Sequence, residues 1–269
     1  NPAFEFFEGD IRSLDDCRKA CKGIDYVSHQ AALGSVPRSI KEPENTNAVN
    51  VDGFLNMLIA AKDEGVKMFV YASSSSVYGD EASLPKVESK IGSPLSPYAV
   101  SKYTNELYAK VFNTTYGLKV IGLRYFNIFG PKQDPNGMYA AVIPLFVSKI
   151  LACTEVFIDG DGEQTRDFTF VENAVQANVL AMLNENAEAV AQIFNIAVGE
   201  NFSVNRLYTD IQKQLDSNHA PTYRETRKGD IRNSLADISK AKDLLGYKPQ
   251  FNFGNGLAIT VDYFRNIYQ

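Results

Sequence analysis

Short apolar runs and longer stretches with helical spacing follow one another along this chain. The apolar runs have the length of buried strands and lie at residues 24–29, 66–73, 119–124 and 193–197. The helical stretches lie between and after them, at residues 49–64, 98–116 and 171–184. Strands that alternate with helices in this way predict an α/β fold with a parallel sheet.

Glycines mark the ends of two predicted helices, and the last part of the chain has a different pattern. Gly65 and Gly117 follow the stretches 49–64 and 98–116, where a glycine readily ends a helix. After Gly199, short helices and loops replace the regular alternation. We therefore predict one continuous fold with a smaller lobe added at the edge of the sheet.

One face of the predicted helix 98–116 is apolar. Tyr103, Leu107 and Val111 are four residues apart, so their side chains lie on the same side of a helix. Such a face packs either against the core of its own chain or against a helix of a partner.

Composition and charge narrow the classes of function. The chain has 269 residues, of which 45% are hydrophobic and 22% charged, so it can bury a sizeable core. The net charge of −5 argues against non-specific nucleic-acid binding, which depends on clustered Lys and Arg. No apolar run approaches the ~20 residues of a membrane helix. Three cysteines and two distant histidines indicate neither a disulfide framework nor a metal site, so we expect a cytoplasmic protein with reduced thiols.

Tyr98 and Lys102 form a Y-x-x-x-K motif at the start of a predicted helix. Ser96 is a favourable N-cap and Pro97 a favourable first residue, so the helix should begin there. The spacing places both side chains on one helical face, where the ammonium group would lower the pKa of the phenol. The motif alone is common, and an exposed lysine beside a partly buried tyrosine also explains it.

A run of four serines, residues 73–76, follows the predicted strand 66–73. Loops at the carboxyl ends of parallel strands are where α/β sheets bind ligands. A serine hydroxyl at such a loop can donate to a substrate oxygen and pass a proton to an ionised tyrosine. A polar turn ended by Gly79 does not by itself require so many hydroxyl groups.

Taken together, these motifs resemble a known family. The strings S-S-S-S-V-Y-G-D, S-P-Y-A-V-S-K and L-R-Y-F-N-I-F-G-P begin at residues 73, 96 and 123. They resemble the extended short-chain dehydrogenase/reductase family, most of all its UDP-N-acetylhexosamine 4-epimerases of bacterial surface polysaccharide synthesis. The resemblance implies a Rossmann-like, doubly wound parallel sheet with a smaller C-terminal substrate lobe. It assigns residues 1–126 and 167–198 to an NAD-binding domain and residues 127–166 and 199–269 to a UDP-sugar lobe.

The resemblance also implies a set of site residues. Ser74, Tyr98 and Lys102 match the catalytic positions. Besides Tyr98 and Lys102, the positions that match NAD contacts are Asp10, Ile11, Ala31, Ala32, Leu33, Asn50 and Tyr125. Besides Ser74, the positions that match UDP-sugar contacts are Ser35, Ser75, Ser76, Asn127, Ala141, Val142, Phe157, Asp159, Arg166, Asp230, Arg232 and Ser234. Arg166 and Arg232 would give this acidic chain local positive charge for a diphosphate.

The reaction that the resemblance implies is NAD-dependent 4-epimerisation through a transient 4-keto sugar, without net oxidation. The small side chain of Ser234 leaves room for an N-acetyl group, so UDP-GlcNAc and UDP-GalNAc are the implied substrates. Relatives commonly form homodimers through the helices that correspond to residues 49–64 and 98–116, and the resemblance implies a homodimer here too.

Other reactions remain as alternatives. A 4,6-dehydratase would carry an Asp-Glu pair where this chain has Ser75 and Ser76, which argues against that reaction. A UDP-uronate epimerase or decarboxylase shares the Ser/Tyr/Lys core and stays open, as does a non-catalytic nucleotide-sugar-binding protein. None of the 18 glycines forms the Gly-rich turn that binds a pyrophosphate. We therefore expect that the chain begins after the first, Gly-rich βαβ unit, with residues 4–7 as a strand.

Overall fold

Helices and strands alternate through most of the computed structural model, which describes residues 3–136, 141–226 and 232–268. The helices are Leu14–Cys21 (α1), Val36–Lys41 (α2), Pro43–Asn47 (α3), Gly53–Asp63 (α4), Pro97–Tyr116 (α5), Val142–Leu151 (α6), Val171–Met182 (α7), Val204–Gln214 (α8), Ser239–Leu245 (α9) and Phe253–Tyr268 (α10). The strands are Tyr26–His29 (β1), Met68–Ser74 (β2), Val120–Tyr125 (β3), Ile128–Phe129 (β4), Phe157–Asp159 (β5), Thr165–Arg166 (β6), Thr169–Phe170 (β7), Ile193–Ile196 (β8), Phe202–Ser203 (β9) and Thr222–Arg224 (β10).

The chain divides into two compact units. Unit 1 contains the described residues of 1–81, 90–124 and 178–194. Unit 2 contains those of 82–89, 125–177 and 195–269. Each unit has its own hydrophobic core, and each is described by itself below.

The main sheet has the strand order β1-β2-β3-β8. β1 pairs in parallel with β2, so that Tyr26 lies opposite Met68 and His29 lies opposite Tyr71. Every side chain of β2 from Met68 to Ser73 is buried, which is why this strand is an unbroken apolar run in the sequence. All four strands expected from the sequence are present, with ends that differ by no more than two residues.

Helix α5 begins and ends as its local sequence predicts. The Ser96 hydroxyl accepts a hydrogen bond from the Ala99 amide at 3.1 Å, Pro97 is the first helical residue, and Gly117 ends the helix at φ 74°. The apolar face noted in the sequence does not belong to the core, because Leu107 and Val111 are 50% and 51% exposed. Core packing, one of the two roles left open for that face, is therefore excluded for these two residues.

Residues 4–7 do not form the expected strand. Within the described part of the chain no strand pairs with them, and Phe4 and Phe6 are 73% and 76% exposed. A strand is stabilised by hydrogen bonds to a neighbour, and alternation of apolar side chains cannot replace them. The expected helix 49–64 is also modified, since a π-helical turn, Ala48–Asp52, precedes α4.

The core of unit 2 lies among α6, α8 and α10 and is rich in phenylalanine. Phe168 stacks on Phe253 with ring centroids 5.6 Å apart, and Phe253 also stacks on Phe202 at 4.3 Å. Beside this core, β10 pairs in parallel with β5, so Arg224 lies opposite Asp159. None of the helices in the described ranges is long and apolar enough to cross a membrane.

Candidate functional site

The serine-rich turn directly follows β2 in unit 1. Ser74 is the N-cap of a 3-10 helix, Ser75–Tyr78, and its hydroxyl accepts hydrogen bonds from the Ser76 amide at 3.2 Å and the Ser76 hydroxyl at 3.0 Å. Gly79 ends this helix at φ 55°, and a Cβ there would lie 1.9 Å from the Ser93 carbonyl oxygen. The turn therefore requires glycine at this position, and it fixes where the Ser74 hydroxyl lies.

Ser74 and Tyr98 are hydrogen-bonded to one another, so the structure brings together two of the three predicted catalytic residues. Burial raises the pKa of Tyr98 above its usual value, and the hydrogen bond from Ser74 lowers it by less. The expectation that Lys102 lowers this pKa is wrong for the chain without ligand. Tyr98 is therefore protonated near neutral pH in this state.

The Lys102 ammonium group is hydrogen-bonded to the backbone of β2. Its Nζ donates to the Ala72 carbonyl oxygen at 2.8 Å and is 6.0 Å from the centroid of the Tyr98 ring. The side chain is only 3% exposed, and burial lowers the pKa of Lys102 to about 8. Lys102 thus combines a buried position with a positive charge at pH 7.

His29 lies at the carboxyl end of β1, close enough to Lys102 for their charges to interact. Burial, and after it the charge of Lys102, lowers the pKa of His29 to about 4. The ring packs between aromatic side chains, with centroids 5.3 Å from Phe54 and 5.8 Å from Phe69. A neutral, packed histidine is a structural residue, which is what its position at a strand end predicts.

Part of the predicted NAD set lies around one cavity of unit 1. Asp10, Ile11 and Ala31 line a cavity of about 330 Å³ together with Cys17 and Met57. Asp10 accepts from Arg12 Nε at 2.9 Å and from its Nη2 at 2.5 Å, and Arg12 lowers the pKa of Asp10 to about 2. A partly apolar cavity with a carboxylate at its wall fits one end of a dinucleotide, a ring with a hydroxylated sugar.

Asn50 acts on the predicted coenzyme loop through the backbone. Its Oδ1 accepts from the Leu33 amide at 2.7 Å, and its Nδ2 donates to the Leu33 carbonyl oxygen at 3.2 Å and to Ser101 Oγ at 3.1 Å. The buried amide thereby joins the loop that contains Ala32 and Leu33 to helix α5. A residue so placed can fix a coenzyme loop. The remaining position predicted for NAD, Tyr125, is the last residue of β3 and is the first residue of that segment to belong to unit 2.

A second cavity, of about 360 Å³, lies within unit 2. Five residues predicted for the UDP-sugar line it, namely Asn127, Val142, Phe157, Asp159 and Arg166. Asn127 adopts φ 37°, and its Nδ2 donates to the Asp167 carbonyl oxygen at 3.1 Å. Five of the positions predicted to contact a UDP-sugar thus lie around one cavity of unit 2.

Arg224 also lines this cavity and was missed by the sequence interpretation. Its guanidinium carbon is 5.1 Å from the centroid of the Phe157 ring, and its Nε forms an ion pair with Asp159. Lys149 and Gln164 are further polar residues of the lining. The local sequence T-Y-R does not identify Arg224 as a cavity residue, because Arg224 reaches the cavity only through the pairing of β10 with β5.

The other predicted substrate residues lie elsewhere. Arg232 is 58% exposed and forms a bidentate ion pair with Asp161, with both distances 2.8 Å, and it is not part of the cavity lining. Ser234 is buried, and its amide donates to the Thr165 carbonyl oxygen at 3.1 Å. Ala141 precedes α6 and is exposed.

Two further positions complete the predicted set. Ser35, in unit 1, is the N-cap of α2 and accepts from the Arg38 amide at 3.1 Å. Asp230 lies outside the described residues.

Known proteins are similar to this chain over most of its length. The sequence profile of the NAD-dependent epimerase/dehydratase family matches residues 1–197. A putative UDP-glucose 4-epimerase of Methanocaldococcus jannaschii is 37% identical over 99% of this chain and 86% of its own length.

Two solved structures have the same fold. UDP-glucose 4-epimerase of Thermotoga maritima with UDP-glucose superposes with a TM-score of 0.95 at 37% identity, over 100% of this chain and 87% of the other. UDP-N-acetylglucosamine 4-epimerase of Methanobrevibacter ruminantium, in complex with UDP-N-acetylmuramic acid, gives a TM-score of 0.93 at 42% identity, over 99% and 86%. Both are similar over almost the full length of this chain, and both share its Rossmann-like α/β fold with a parallel sheet.

Proposed function

The chain belongs to the NAD-dependent epimerase/dehydratase family, and we propose that it interconverts UDP-N-acetylglucosamine and UDP-N-acetylgalactosamine by epimerisation at carbon 4. The observation that carries the proposal is the hydrogen bond between Ser74 and Tyr98, with Lys102 buried one helical turn further along α5. This arrangement supplies a proton acceptor, a hydroxyl that can stabilise it and a nearby cation.

In the proposed reaction Tyr98 takes the proton of the sugar 4-hydroxyl and later returns it. When bound, NAD would supply the redox chemistry that this reaction needs at carbon 4. Ser74 donates a hydrogen bond to the oxygen on carbon 4 or to the Tyr98 phenolate, and so shares the negative charge that forms there. Because burial raises the pKa of Tyr98, the proposed proton transfer depends on the hydrogen bond with Ser74, which lowers that pKa.

We propose that the cavity of unit 2 binds the UDP part of the substrate. Phe157 offers an aromatic face for the base, and Asp159 a carboxylate for a ribose hydroxyl. Arg166, Arg224 and Lys149 supply positive charge for the two phosphates, which an acidic chain must gather locally.

The choice of an N-acetylated sugar rests on Ser234. A serine occupies less space than an aromatic ring, so an N-acetyl group meets less steric exclusion beside it. The UDP-N-acetylglucosamine 4-epimerase of M. ruminantium is 42% identical to this chain, which supports the same preference. The solved T. maritima enzyme is named for UDP-glucose, so substrate preference has to be measured.

We also propose a homodimer formed through α5. Val100, Leu107 and Val111 are each about half exposed and follow one another at spacings of seven and four residues. This spacing forms an apolar stripe along one side of the helix, of the kind that packs in a four-helix bundle.

The direct test compares substrates on one preparation with NAD added. UDP-GlcNAc, UDP-glucose and UDP-glucuronate are incubated in parallel, and the 4-epimers are separated by chromatography. We expect the highest kcat/KM with UDP-GlcNAc, and a loss of at least about 100-fold in kcat for Tyr98→Phe and Ser74→Ala. Turnover of UDP-glucuronate alone would support the uronate alternative, and binding without any turnover would support a non-catalytic protein.

A further inference from the structure

A buried ion pair lies beside the Ser74 turn, on residues that the proposed reaction does not use. Glu106 of α5 and Arg124 of β3 are 6% and 3% exposed. Arg124 Nε donates to Glu106 Oε1 at 2.9 Å, and Arg124 Nη2 donates to Glu106 Oε2 at 2.8 Å. The planar guanidinium thus faces the carboxylate in the bidentate geometry that fixes the orientation of both groups.

Each partner of this ion pair also binds one end of the serine turn. Ser73, the residue before Ser74, donates from its hydroxyl to Glu106 Oε1 at 2.5 Å. Arg124 is hydrogen-bonded to the side chain of Tyr78, the last residue of the 3-10 helix, and its guanidinium carbon is 4.8 Å from the centroid of that ring. One ion pair therefore fixes the residue that precedes Ser74 and the residue that ends its turn.

Glu106 also belongs to the helix that presents the proposed base. Tyr98, Lys102 and Glu106 are four residues apart in α5, so their side chains lie along one face. The Glu106 carboxylate consequently connects the helix of Tyr98 with the turn of Ser74. A shift of either element changes the distance between the Ser74 hydroxyl and the Tyr98 phenol.

Stability alone does not explain why this ion pair is buried. Removing two charges from water is unfavourable, and well-packed apolar residues in their place are often as stabilising or more so. What a bidentate pair adds is geometry, because its hydrogen bonds are satisfied in only one arrangement.

We propose that Glu106 and Arg124 are positioning residues that set Ser74 against Tyr98 and thereby increase the rate of proton transfer. The inference rests on the proposed function, since it assumes that Ser74 and Tyr98 carry the reaction. Neither residue contacts substrate in this proposal, so their effect falls on kcat and leaves KM nearly unchanged.

The first test removes the ion pair without leaving a buried charge. In the double variant Glu106→Leu/Arg124→Met both partners become apolar, so we expect a folded protein with a similar midpoint of thermal unfolding. Its kcat should fall on the order of 10- to 100-fold, with KM changed by less than about 3-fold. A folded double variant with the parent kcat would overturn the proposal. The surface ion pair of Arg206 and Asp210 provides the control, because Arg206→Met should leave kcat unchanged.

The second test asks whether the ion pair acts through Ser74. In the parent background, Glu106→Gln should lower kcat, because it weakens the hydrogen bond from Ser73 and the ion pair with Arg124 together. In a Ser74→Ala background the same substitution should change kcat by less than about 2-fold, since coupled residues are not additive. Equal losses in both backgrounds would mean a general structural role and would overturn the inference.

Two milder variants keep the test decisive if Glu106→Gln fails to fold. Ser73→Ala and Tyr78→Phe each remove one hydrogen bond and leave the ion pair intact, and each should lower kcat in the parent but not in Ser74→Ala. A different result, in which Ser74→Ala itself has the parent kcat, would count against the proposed catalytic site and not against the ion pair alone.

Discussion

Lys102 donates a hydrogen bond from its ammonium group to the carbonyl oxygen of Ala72, the β2 residue directly before the serine run, at 2.8 Å. The lysine is buried, and this bond directs its Nζ toward β2 and not onto the Tyr98 hydroxyl. The charge of Lys102 is thus held in a fixed position, while burial keeps the pKa of Tyr98 raised. The free chain bears the unfavourable free energy of burying this cation.

We expect Lys102→Met to stabilise the ligand-free protein and to inactivate it. Burial lowers the pKa of Lys102 from 10.5 to about 8, so at pH 7 the charged lysine is less stable in the folded chain than in the unfolded one. The difference corresponds to roughly 3 kcal/mol at most, from which the lost Ala72 hydrogen bond subtracts.

Urea unfolding at a series of pH values measures this effect. The unfolded chain binds more protons than the folded one between the two pKa values, so the parent gains stability as the pH rises from 8 toward 10.5. The difference in unfolding free energy between Lys102→Met and the parent should therefore become smaller over that pH range. Lys62→Met, on a lysine whose side chain is 34% exposed and is paired with Asp63, is the control. A methionine variant that is less stable than the parent at pH 7 would contradict the argument.

His29 should make the protein sensitive to acid. Burial lowers its pKa from 6.5 to about 4, so the stability it contributes is complete above pH 6.5 and is lost as the pH falls toward 4. The full loss corresponds to about 3 kcal/mol. His29→Phe, which keeps a ring between Phe54 and Phe69, should flatten the dependence of unfolding free energy on pH. A His29→Phe variant whose unfolding free energy falls as steeply as that of the parent between pH 6.5 and 4 would contradict this argument.

The sequence predicts local structure well and long-range geometry less well. Helix α5 was predicted from Ser96, Pro97 and Gly117, because capping and termination depend on neighbouring residues. The strands of the main sheet were predicted because burial on both faces demands continuous apolar runs. Residues 4–7 have strand-like composition, but a strand needs a partner that their own sequence cannot supply.

The candidate site shows the same limit. Ser74, Tyr98 and Lys102 were predicted from two short motifs, S-S-S-S-V-Y-G-D and S-P-Y-A-V-S-K, and from the family resemblance that these motifs carry. The direction of the Tyr98 pKa was not predicted, because burial of the ring raises it, and burial depends on how distant parts of the chain pack around that ring. Arg224 was missed for a similar reason, since only the pairing of two distant strands places it beside Phe157 and Asp159.

Arg224 should contribute to binding and not to the chemical step. Replacement by Gln keeps hydrogen-bonding capacity and removes the charge beside Phe157. We expect KM for the UDP-sugar to rise about 10-fold with kcat within 2-fold, as for an interaction made equally in the ground state and transition state. Calorimetric titration with UDP should show the same loss of affinity. Unchanged UDP affinity would remove Arg224 from the site, and Arg206→Gln on the surface serves as the control.

Ser234 should control acceptance of the N-acetyl group. A tyrosine at this buried position introduces a ring where the serine leaves space, so Ser234→Tyr should lower kcat/KM for UDP-GlcNAc by at least about 10-fold. Its kcat/KM for UDP-glucose should change far less. Ser234→Ala, which stays small, should retain turnover of the acetylated substrate. If Ser234→Tyr turned over UDP-GlcNAc as well as the parent does, the proposed basis of selectivity would be wrong.

The exposed face of α5 should determine the oligomeric state. Leu107→Glu/Val111→Glu places two like charges on the apolar stripe, where burial at an interface would leave them unpaired. We expect this double variant to be a monomer and the parent to be a dimer, as measured by light scattering coupled to size-exclusion chromatography. The matched control is Val175→Glu/Val179→Glu, two valines of similar exposure at the same spacing on α7, which should leave the dimer intact. A parent that is monomeric at micromolar concentration, or a dimer that both double variants leave intact, would show that the α5 face does not form the interface.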